Sequence, residues 1–356
     1  MNTLLCADNP DSLAWCEAVR SEWPSDSPPP LWWNGSEATA AAVLEKWHAH
    51  AVRTGHRPRL FGATSRAHSS AALVRLMADP LGPQVWVAQD YWGDVVGPQA
   101  DFLDPGPASR VTYLVRDTLA ESLTASHLTT PTQIEVVGAA RLAPLEQLNV
   151  ATERARLRQR WPNHTHAVLW LGQAPPIQAA YLRVVHQVAQ AVAATPNTVL
   201  LDRHHIRQTP SQTKEEGALW QALRVDRLDA SEGPLWPWLA AADLVLTCFS
   251  NGGVEAVHLN RVAPMACNRS LFVLTDPELR AYHALHSGLD DHPLVTQGLA
   301  LQVSDADALP DAVATALNRD QLQDFWRGPL RALVPGQVAA TKIAHLLSAP
   351  AARALF

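Results

Sequence analysis

At 356 residues, the chain exceeds the size at which one hydrophobic core stops growing, so two domains of ordinary size are expected. A composition 47% hydrophobic and 17% charged describes a globular protein and excludes a disordered one. The formal charge of −6 and pI near 6.2, with no basic run, exclude a broad electrostatic grip on nucleic acid, so any phosphate is held locally.

The chain opens on "MNTLLCADNPDSLAW", which lacks a basic segment followed by an apolar stretch. The longest apolar run, "WPWLAAADLVLTCF", is interrupted by Pro237 and Asp243. Together they predict a cytoplasmic protein without a transmembrane segment, with peripheral membrane contact left open. Cys6, Cys16, Cys248 and Cys267 have no CxxC spacing and are expected to be reduced, buried thiols, with no metal site.

In the first half, short apolar runs alternate with helical patterns. "TLLCA" precedes "DSLAWCEAVRSEW", "PLWWN" precedes "SEATAAAVLEKWHAHAV", and "PRLFGA" precedes "SSAALVRLMAD". "QVWVAQD" leads into a Gly/Pro-rich loop, and "RVTYLV", "DTLAESLTASHL" and "QIEVVGAARL" continue the rhythm to residue 148. Strands separated by helices predict a parallel sheet covered on both faces. A charged "ATERARLRQRW" and a polar "PNHTH" follow. The pattern then restarts with "AVLWLG", the helix "IQAAYLRVVHQVAQAVAA", "NTVLL", "DLVLTC" with "GGVEAVHL", and "VAPMAC".

The predicted fold class is therefore α/β, with two Rossmann-like doubly wound domains facing a central cleft. The first occupies residues 1–150, a linker covers 151–165, and the second domain covers 166–335. For the terminal helix within 336–356, packing back across the first domain is left open.

In open α/β sheets, ligands bind beyond the carboxyl ends of the strands, and four segments bring chemistry there. After "DLVLTC", Ser250, Asn251, Gly252 and Gly253 form a turn without bulky side chains, where backbone N–H groups at a helix N-terminus can meet an anion. Glu255, in the first turn of that helix, can accept hydrogen bonds from the two hydroxyls of a ribose. Equally, Ser250 or Asn251 simply caps the helix and Glu255 complements its dipole.

After "NTVLL", Arg203, His204, His205 and Arg207 cluster in one loop suited to a diphosphate or a sugar acid. In the first half, Ser65, Arg66 and His68 follow "PRLF", and Asp90, Tyr91 and Trp92 follow "QVWV". A carboxylate or imidazole there can deprotonate an acceptor hydroxyl. The alternative is that Ser69 or Ser70 caps a helix and Asp90 starts a turn. Gly172 and Gln173 follow "AVLWL" and either touch substrate or make an ordinary strand–helix turn.

"ADLVLTCFSNGGVEAVHLNRVAPMAC" resembles the donor-nucleotide segment of GT-B glycosyltransferases. "LLDRHH" resembles the Arg-His-Pro element of bacterial capsule and teichoic-acid type transferases, with His205 where the family carries Pro. "PTQIEVVGAARLAPL" is similar to the segment closing their first domain, and "LFGATSRAHSSAALVRLMADPLGPQVWVAQDYW" to an earlier stretch of it. The resemblance implies that Arg203 and His204 contact donor phosphate or an anionic sugar, that Ser250, Asn251, Gly252 and Gly253 cradle phosphate, and that Glu255 binds ribose. The UDP-N-acetylglucosamine 2-epimerases share the fold and a Ser-Gly-Gly turn. One Glu stands here in place of their paired acidic residues, which makes them the more distant resemblance.

These residues together lead to a metal-independent glycosyltransferase of bacterial surface-glycan, protein or lipid glycosylation. It would move a sugar from a nucleotide-activated donor to a hydroxyl of a glycan, lipid-linked or protein acceptor. Asp90 or His68 would be the base, while Arg203, His204 and the helix after Gly253 stabilise the departing phosphate. No cofactor is expected beyond the donor. The alternatives are a sugar-nucleotide epimerase or hydrolase, and a non-catalytic binding scaffold of the same fold.

Overall fold

Apolar runs without alternation belong in parallel sheets covered on both faces, and such runs build both sheets of this protein. The structure is a computed structural model. It describes residues 3–7, 10–34, 59–64, 84–95, 111–128, 133–174 and 176–349, with isolated positions between 42 and 53. Unit 1 comprises Met1–Glu146, Val334–Phe356 and the short piece His286–Gly288; unit 2 comprises Gln147–Leu285 and Leu289–Leu333.

In unit 1, β1 (Thr3–Ala7), β2 (Leu31–Asn34), β3 (Arg59–Thr64), β4 (Gln84–Gln89), β5 (Val111–Val115) and β6 (Gln133–Val136) form a parallel sheet in the order β2-β1-β3-β4-β5-β6. Every residue of β1 and β5 is buried. Helix α1 (Pro10–Ser21) packs on β1 and β3, and its Trp15 enters a core with Leu5, Phe61, Trp86 and Leu114. The C-terminal helix (Gly336–Ser348) closes that same core through Ile343 and Leu347. Its end is tied down where Thr3 Oγ1 and Arg59 Nη1 donate to the Leu347 carbonyl at 3.2 and 2.7 Å. Gly336 is required by close approach, since a Cβ there would lie 2.3 Å from the Ala143 nitrogen.

In unit 2, α2 (Val150–Arg158) precedes β7 (His166–Leu171), α3 (Gln178–Ala193), β8 (Thr198–Arg203), α4 (Pro210–Ala222) and β9 (Arg227–Asp229). Next come α5 (Leu235–Ala241), β10 (Leu244–Thr247), α6 (Asn251–Val262), β11 (Arg269–Val273) and β12 (Leu301–Val303). The sheet is parallel in the order β12-β11-β10-β7-β8-β9. Helix α3 shows why the periodicity succeeds: Tyr181, Val184, Val185, Val188 and Val192 recur at helical spacing and are all buried against the sheet. Helix α4 starts on a capping box between Thr209 and Gln212, with Pro210 at its first position.

The stretch 151–165, expected as a linker, is instead part of unit 2. Its charged composition suggests solvation, but its arginines converge on one buried aspartate. Arg154 Nη2 and Arg319 Nη2 each lie 2.5 Å from Asp243 Oδ1, and Arg158 pairs with Asp243 Oδ2. Arg154 and Arg158 also donate to the carbonyls of Ala240, Ala241 and Ala242, the C-terminal end of α5. Trp161 stacks on Trp238, ring centroids 6.4 Å apart. The boundary therefore falls between Glu146 and Gln147.

Candidate functional site

Where strand order reverses, the loops leaving two neighbouring strands diverge to opposite faces and open a crevice. In unit 2 the chain runs outward from β7 through β8 to β9, then returns to β10 on the other side of β7. The reversal lies between β7 and β10. The loops leaving them carry Gly172 and Gln173 on one side and Phe249 to Gly253 on the other; the β8 loop with Arg203 and His204 is adjacent. The structure thus brings three of the four sequence-predicted segments to neighbouring strand ends of one sheet.

At the β10–α6 turn, Ser250 is the N-cap, its Oγ accepting the Gly252 N–H at 3.2 Å, and the Gly253 N–H donates to the Ser250 carbonyl at 2.9 Å. The two glycines answer to packing. A Cβ on Gly252 would meet Leu171 Cδ1 at 2.6 Å, and one on Gly253 would meet the Phe272 ring at 3.0 Å. They let α6 lie close on the sheet, which aims the helix N-terminus and its partial positive charge at the crevice. The helix begins at Asn251, so Glu255 stands in its second turn and not, as expected, in its first. Glu255 Oε2 accepts the Trp236 indole N–H at 2.7 Å.

Arg203 ends β8, and its guanidinium donates to the carbonyls of Ala230 at 2.6 Å and Gly233 at 2.9 Å. Burial lowers its pKa, opposed by the negative charges of Glu255 and Asp229, so Arg203 and Glu255 share one electrostatic neighbourhood. The His204 N–H donates to Ser231 Oγ at 3.1 Å, and its Nδ1 stands 3.9 Å from Asp202 Oδ1. Asp202 is fully buried beneath this loop, with Arg227 Nη1 at 3.1 Å. Burial pushes its carboxyl up to about 7 in spite of Arg227. His205 has its N–H bound by Gln208 Oε1 at 2.6 Å, and its ring accepts the Arg207 N–H at 3.1 Å. Burial, with Arg207 adding, lowers the His205 pKa.

Gln173 is buried and reaches across the reversal point, its Oε1 accepting the Phe249 N–H at 3.0 Å. A Cβ on Gly172 would meet Gln208 Oε1 at 2.8 Å, so this glycine lets the β7 and β8 loops touch. Gln208 and Glu216 stand behind these loops and were not singled out from the sequence. "SQTKEEG" reads as a solvated helix start, yet Trp220, four residues after Glu216 and buried, marks the inward face.

In unit 1, Asp90 follows β4 and is buried in an ion pair, Oδ1 lying 2.5 Å from Arg141 Nε. It also accepts the Trp15 indole N–H at 3.2 Å. That geometry ties α1, β4 and Arg141 together at the carboxyl end of β4. The reversal in this sheet lies between β1 and β3, one strand away from Asp90. Ser65, Arg66 and His68 lie outside the described residues. The neighbouring Trp92 lies under the Arg116 guanidinium at 4.0 Å and donates to Asp117 Oδ2 at 2.9 Å, a packing role.

Among the described residues no group of three or more His, Cys, Asp or Glu is arranged to hold a metal ion, and no helix is long and apolar enough to cross a membrane. The chain does carry one Asp-x-Asp spacing, at Asp305 and Asp307, after the edge strand β12. There the Asp307 N–H donates to Asp305 Oδ1 at 3.0 Å. The four cysteines are buried.

No protein-family model matches the chain, and no curated protein matches it in sequence. Solved structures do match in fold. MnaA of S. aureus, in a co-structure with UDP, is 10% identical, with 97% of this chain and 96% of that one covered, at a TM-score of 0.64. The UDP-GlcNAc 2-epimerase of Neisseria meningitidis, bound to UDP-GlcNAc, is 12% identical over 98% of this chain and 100% of that one, at 0.62. The wall teichoic acid polymerase TagF, with CDPG, is 11% identical over 97% of this chain and 88% of that one, at 0.53. The fold is α/β of the GT-B type, with two parallel six-stranded sheets. The epimerases, the more distant resemblance by motif, superpose better than TagF.

Proposed function

We propose that unit 2 binds a nucleotide-activated sugar and that the chain transfers the sugar to a hydroxyl acceptor without a metal ion. The observation that supports this most is the convergence of the β7, β8 and β10 loops where the strand order reverses, with the α6 N-terminus aimed into that crevice. Arg203 and Glu255 belong to the same neighbourhood. The developing negative charge on a leaving nucleotide diphosphate is met by the helix N-terminus and by the cationic β8 loop of Arg203 and His204. Glu255 takes the ribose hydroxyls. The base that activates the acceptor is Asp90 or His68. The acceptor is a glycan, a lipid-linked sugar or a protein hydroxyl, in a cytoplasmic glycosylation step of a bacterial cell.

The second reading is a sugar-nucleotide epimerase or hydrolase. It is favoured by fold likenesses to UDP-GlcNAc 2-epimerases that span nearly the whole chain at TM-scores of 0.62 and 0.60. A thermal-shift panel of UDP, GDP, CDP, CMP and dTDP tests the shared premise, because a ligand that binds the native state raises its melting temperature. No shift with any of them defeats both readings and leaves a binding scaffold. Incubating the matching nucleotide sugar without acceptor then separates the two: an altered sugar means epimerase, free nucleotide and sugar mean hydrolase. An intact donor consumed only when acceptor is added means transferase.

A further inference from the structure

The loops of the candidate site rest on one buried carboxylate. Glu216, on α4, is fully buried and receives hydrogen bonds from three separate elements. Trp170 Nε1 of β7 donates at 2.5 Å, the Tyr181 hydroxyl of α3 at 3.2 Å, and Gln208 Nε2 of the β8–α4 loop at 2.6 Å. Two of these contacts continue outward. Gln208 Oε1 accepts the His205 N–H at 2.6 Å, beside Arg203 and His204. The Tyr181 oxygen accepts the Gln173 N–H at 3.1 Å, and Gln173 Oε1 accepts the Phe249 N–H at 3.0 Å, one residue before the Ser250 cap. Two hydrogen-bond chains thus leave Glu216 and end on the two loops proposed to hold the diphosphate.

The direction of the Gln208 and Tyr181 bonds depends on the charge of Glu216, whereas the Trp170 indole donates in either state. An ionised carboxylate is acceptor-only and suits three converging donors. Protonated, it carries a donor of its own. Gln208 can satisfy that donor only by turning its carbonyl oxygen inward, which presents its NH2 group to the His205 N–H.

We propose that ionised Glu216 is the positioning residue of the donor site, fixing the β8 and β10 loops in their ligand-holding arrangement, and that its protonation releases them. The role in binding rests on the nucleotide-sugar reading; the role in holding the loops does not. Burial raises the Glu216 carboxyl to about 7, with the Asp202 charge pushing the same way and the hydrogen bonds from Gln208 and Trp170 opposing. The titratable groups facing it are Asp202 and His204 from β8 and its loop, Tyr181 from α3, and Cys248 after β10. Burial pushes Tyr181 and Cys248 upward, so both stay neutral here. Asp202 and Glu216 titrate as a pair.

Glu216→Gln keeps the shape and mimics the protonated state. Amide hydrogen exchange, corrected for intrinsic rates, is followed at His205 and Phe249 from pH 5.5 to 8.5. Protection in the wild type is expected to fall about tenfold as pH drops through 7 and to be low at every pH in E216Q. Affinity for UDP-GlcNAc or CDP-glycerol, whose diphosphates stay ionised throughout, is expected to weaken about tenfold over the same range in the wild type and to be weak at every pH in E216Q, with only the smaller pH dependence that Asp202 supplies.

Unchanged protection in a folded E216Q overturns the proposal, as does wild-type binding equal at pH 6 and pH 8. Should E216Q not fold, Gln208→Leu cuts one chain only. It must lower protection at His205 and spare Phe249, and equal loss at both, or at neither, overturns the proposal. Protection that behaves as expected while the wild type binds no nucleotide sugar supports the positioning role and removes the donor reading alone.

Discussion

Gln173 spans the reversal point of unit 2, its side-chain oxygen accepting the Phe249 N–H at 3.0 Å while its own N–H is held by Tyr181. The first bond joins the β7 loop to the β10 loop where the two would otherwise diverge. Gln173→Leu removes the acceptor and leaves the half-buried Phe249 amide without that partner, a change that costs about 1 kcal/mol. The expected outcome is a lower urea midpoint and weaker nucleotide binding, while Gln173→Glu, which keeps an acceptor, loses less stability. Equal midpoints for wild type and Gln173→Leu would show that the bond does not hold the loops.

Glu255 is the residue that separates a nucleotide site from a capped helix. Truncation to Ala would also orphan the Trp236 indole, which donates to it at 2.7 Å. Glu255→Gln is the cleaner probe, because its amide oxygen keeps the indole satisfied while the negative charge is lost. Hydrogen bonds to charged groups contribute about 1.5–3 kcal/mol, so nucleotide affinity by calorimetry is expected to fall at least tenfold with the melting temperature little changed. An unchanged affinity refutes the ribose assignment.

Packing of α6 and of the C-terminal helix makes a ranking of glycine substitutions testable. Gly336→Ala sets a Cβ against backbone atoms, 2.3 Å from the Ala143 nitrogen, which no rotamer change relieves. Gly252→Ala meets Leu171 Cδ1 at 2.6 Å and Leu235 Cδ2 at 3.0 Å, and Gly253→Ala meets the Phe272 ring at 3.0 Å and Thr247 Cγ2 at 3.1 Å, with no approach as close as 2.6 Å. Overpacking of this kind costs about 1–3 kcal/mol, and more where backbone must move. Thermal unfolding is expected to rank the losses Gly336, then Gly252, then Gly253. A larger loss at Gly253 than at Gly252 contradicts the packing account of the turn.

The strands were legible because "TLLCA", "VTYLV" and "DLVLTC" are apolar without alternation, and strand-end loops could be placed from them alone. The placement of Arg203, Gln173 and Ser250 at neighbouring strand ends of unit 2 was therefore visible in outline. Local composition misled wherever a polar side chain found a distant partner. Asp90 carries no local sign of Arg141, 51 positions on, which lies 2.5 Å away. "ATERARLRQRW" looks like a solvated linker until its arginines meet Asp243, and Glu216 looks exposed until Trp170 and Tyr181 close over it. In each case the deciding contact crosses between elements, and no window of neighbouring residues contains it.

Stability against pH should reveal the two kinds of buried carboxylate in unit 2, because they have opposite signs. Burial would raise Asp243, but Arg158, Arg154, the Ala167 N–H and Arg319 outweigh it and hold its pKa below the usual carboxylate range. The folded state then binds its proton less readily than the unfolded chain. The stability it contributes is present above the unfolded value of about 4 and is lost as pH falls through the lower folded value. Asp202 and Glu216 are raised to about 7, so between pH 4 and 7 the folded state holds protons the unfolded chain has released. Their stability contribution is greatest at the acid end of that window and declines as pH rises to 7. Urea unfolding of the wild type is expected to show this decline from pH 4.5 to 7, flattened in Glu216→Gln, and a separate loss below pH 4. Asp243→Ala leaves Arg154 and Arg158 unpaired at the end of α5 and is expected to cost about 3–5 kcal/mol at pH 7, with the loss below pH 4 reduced. A variant that loses less than 1 kcal/mol, or keeps the full acid loss, would show that the arginine cluster does not anchor α2 to the second unit.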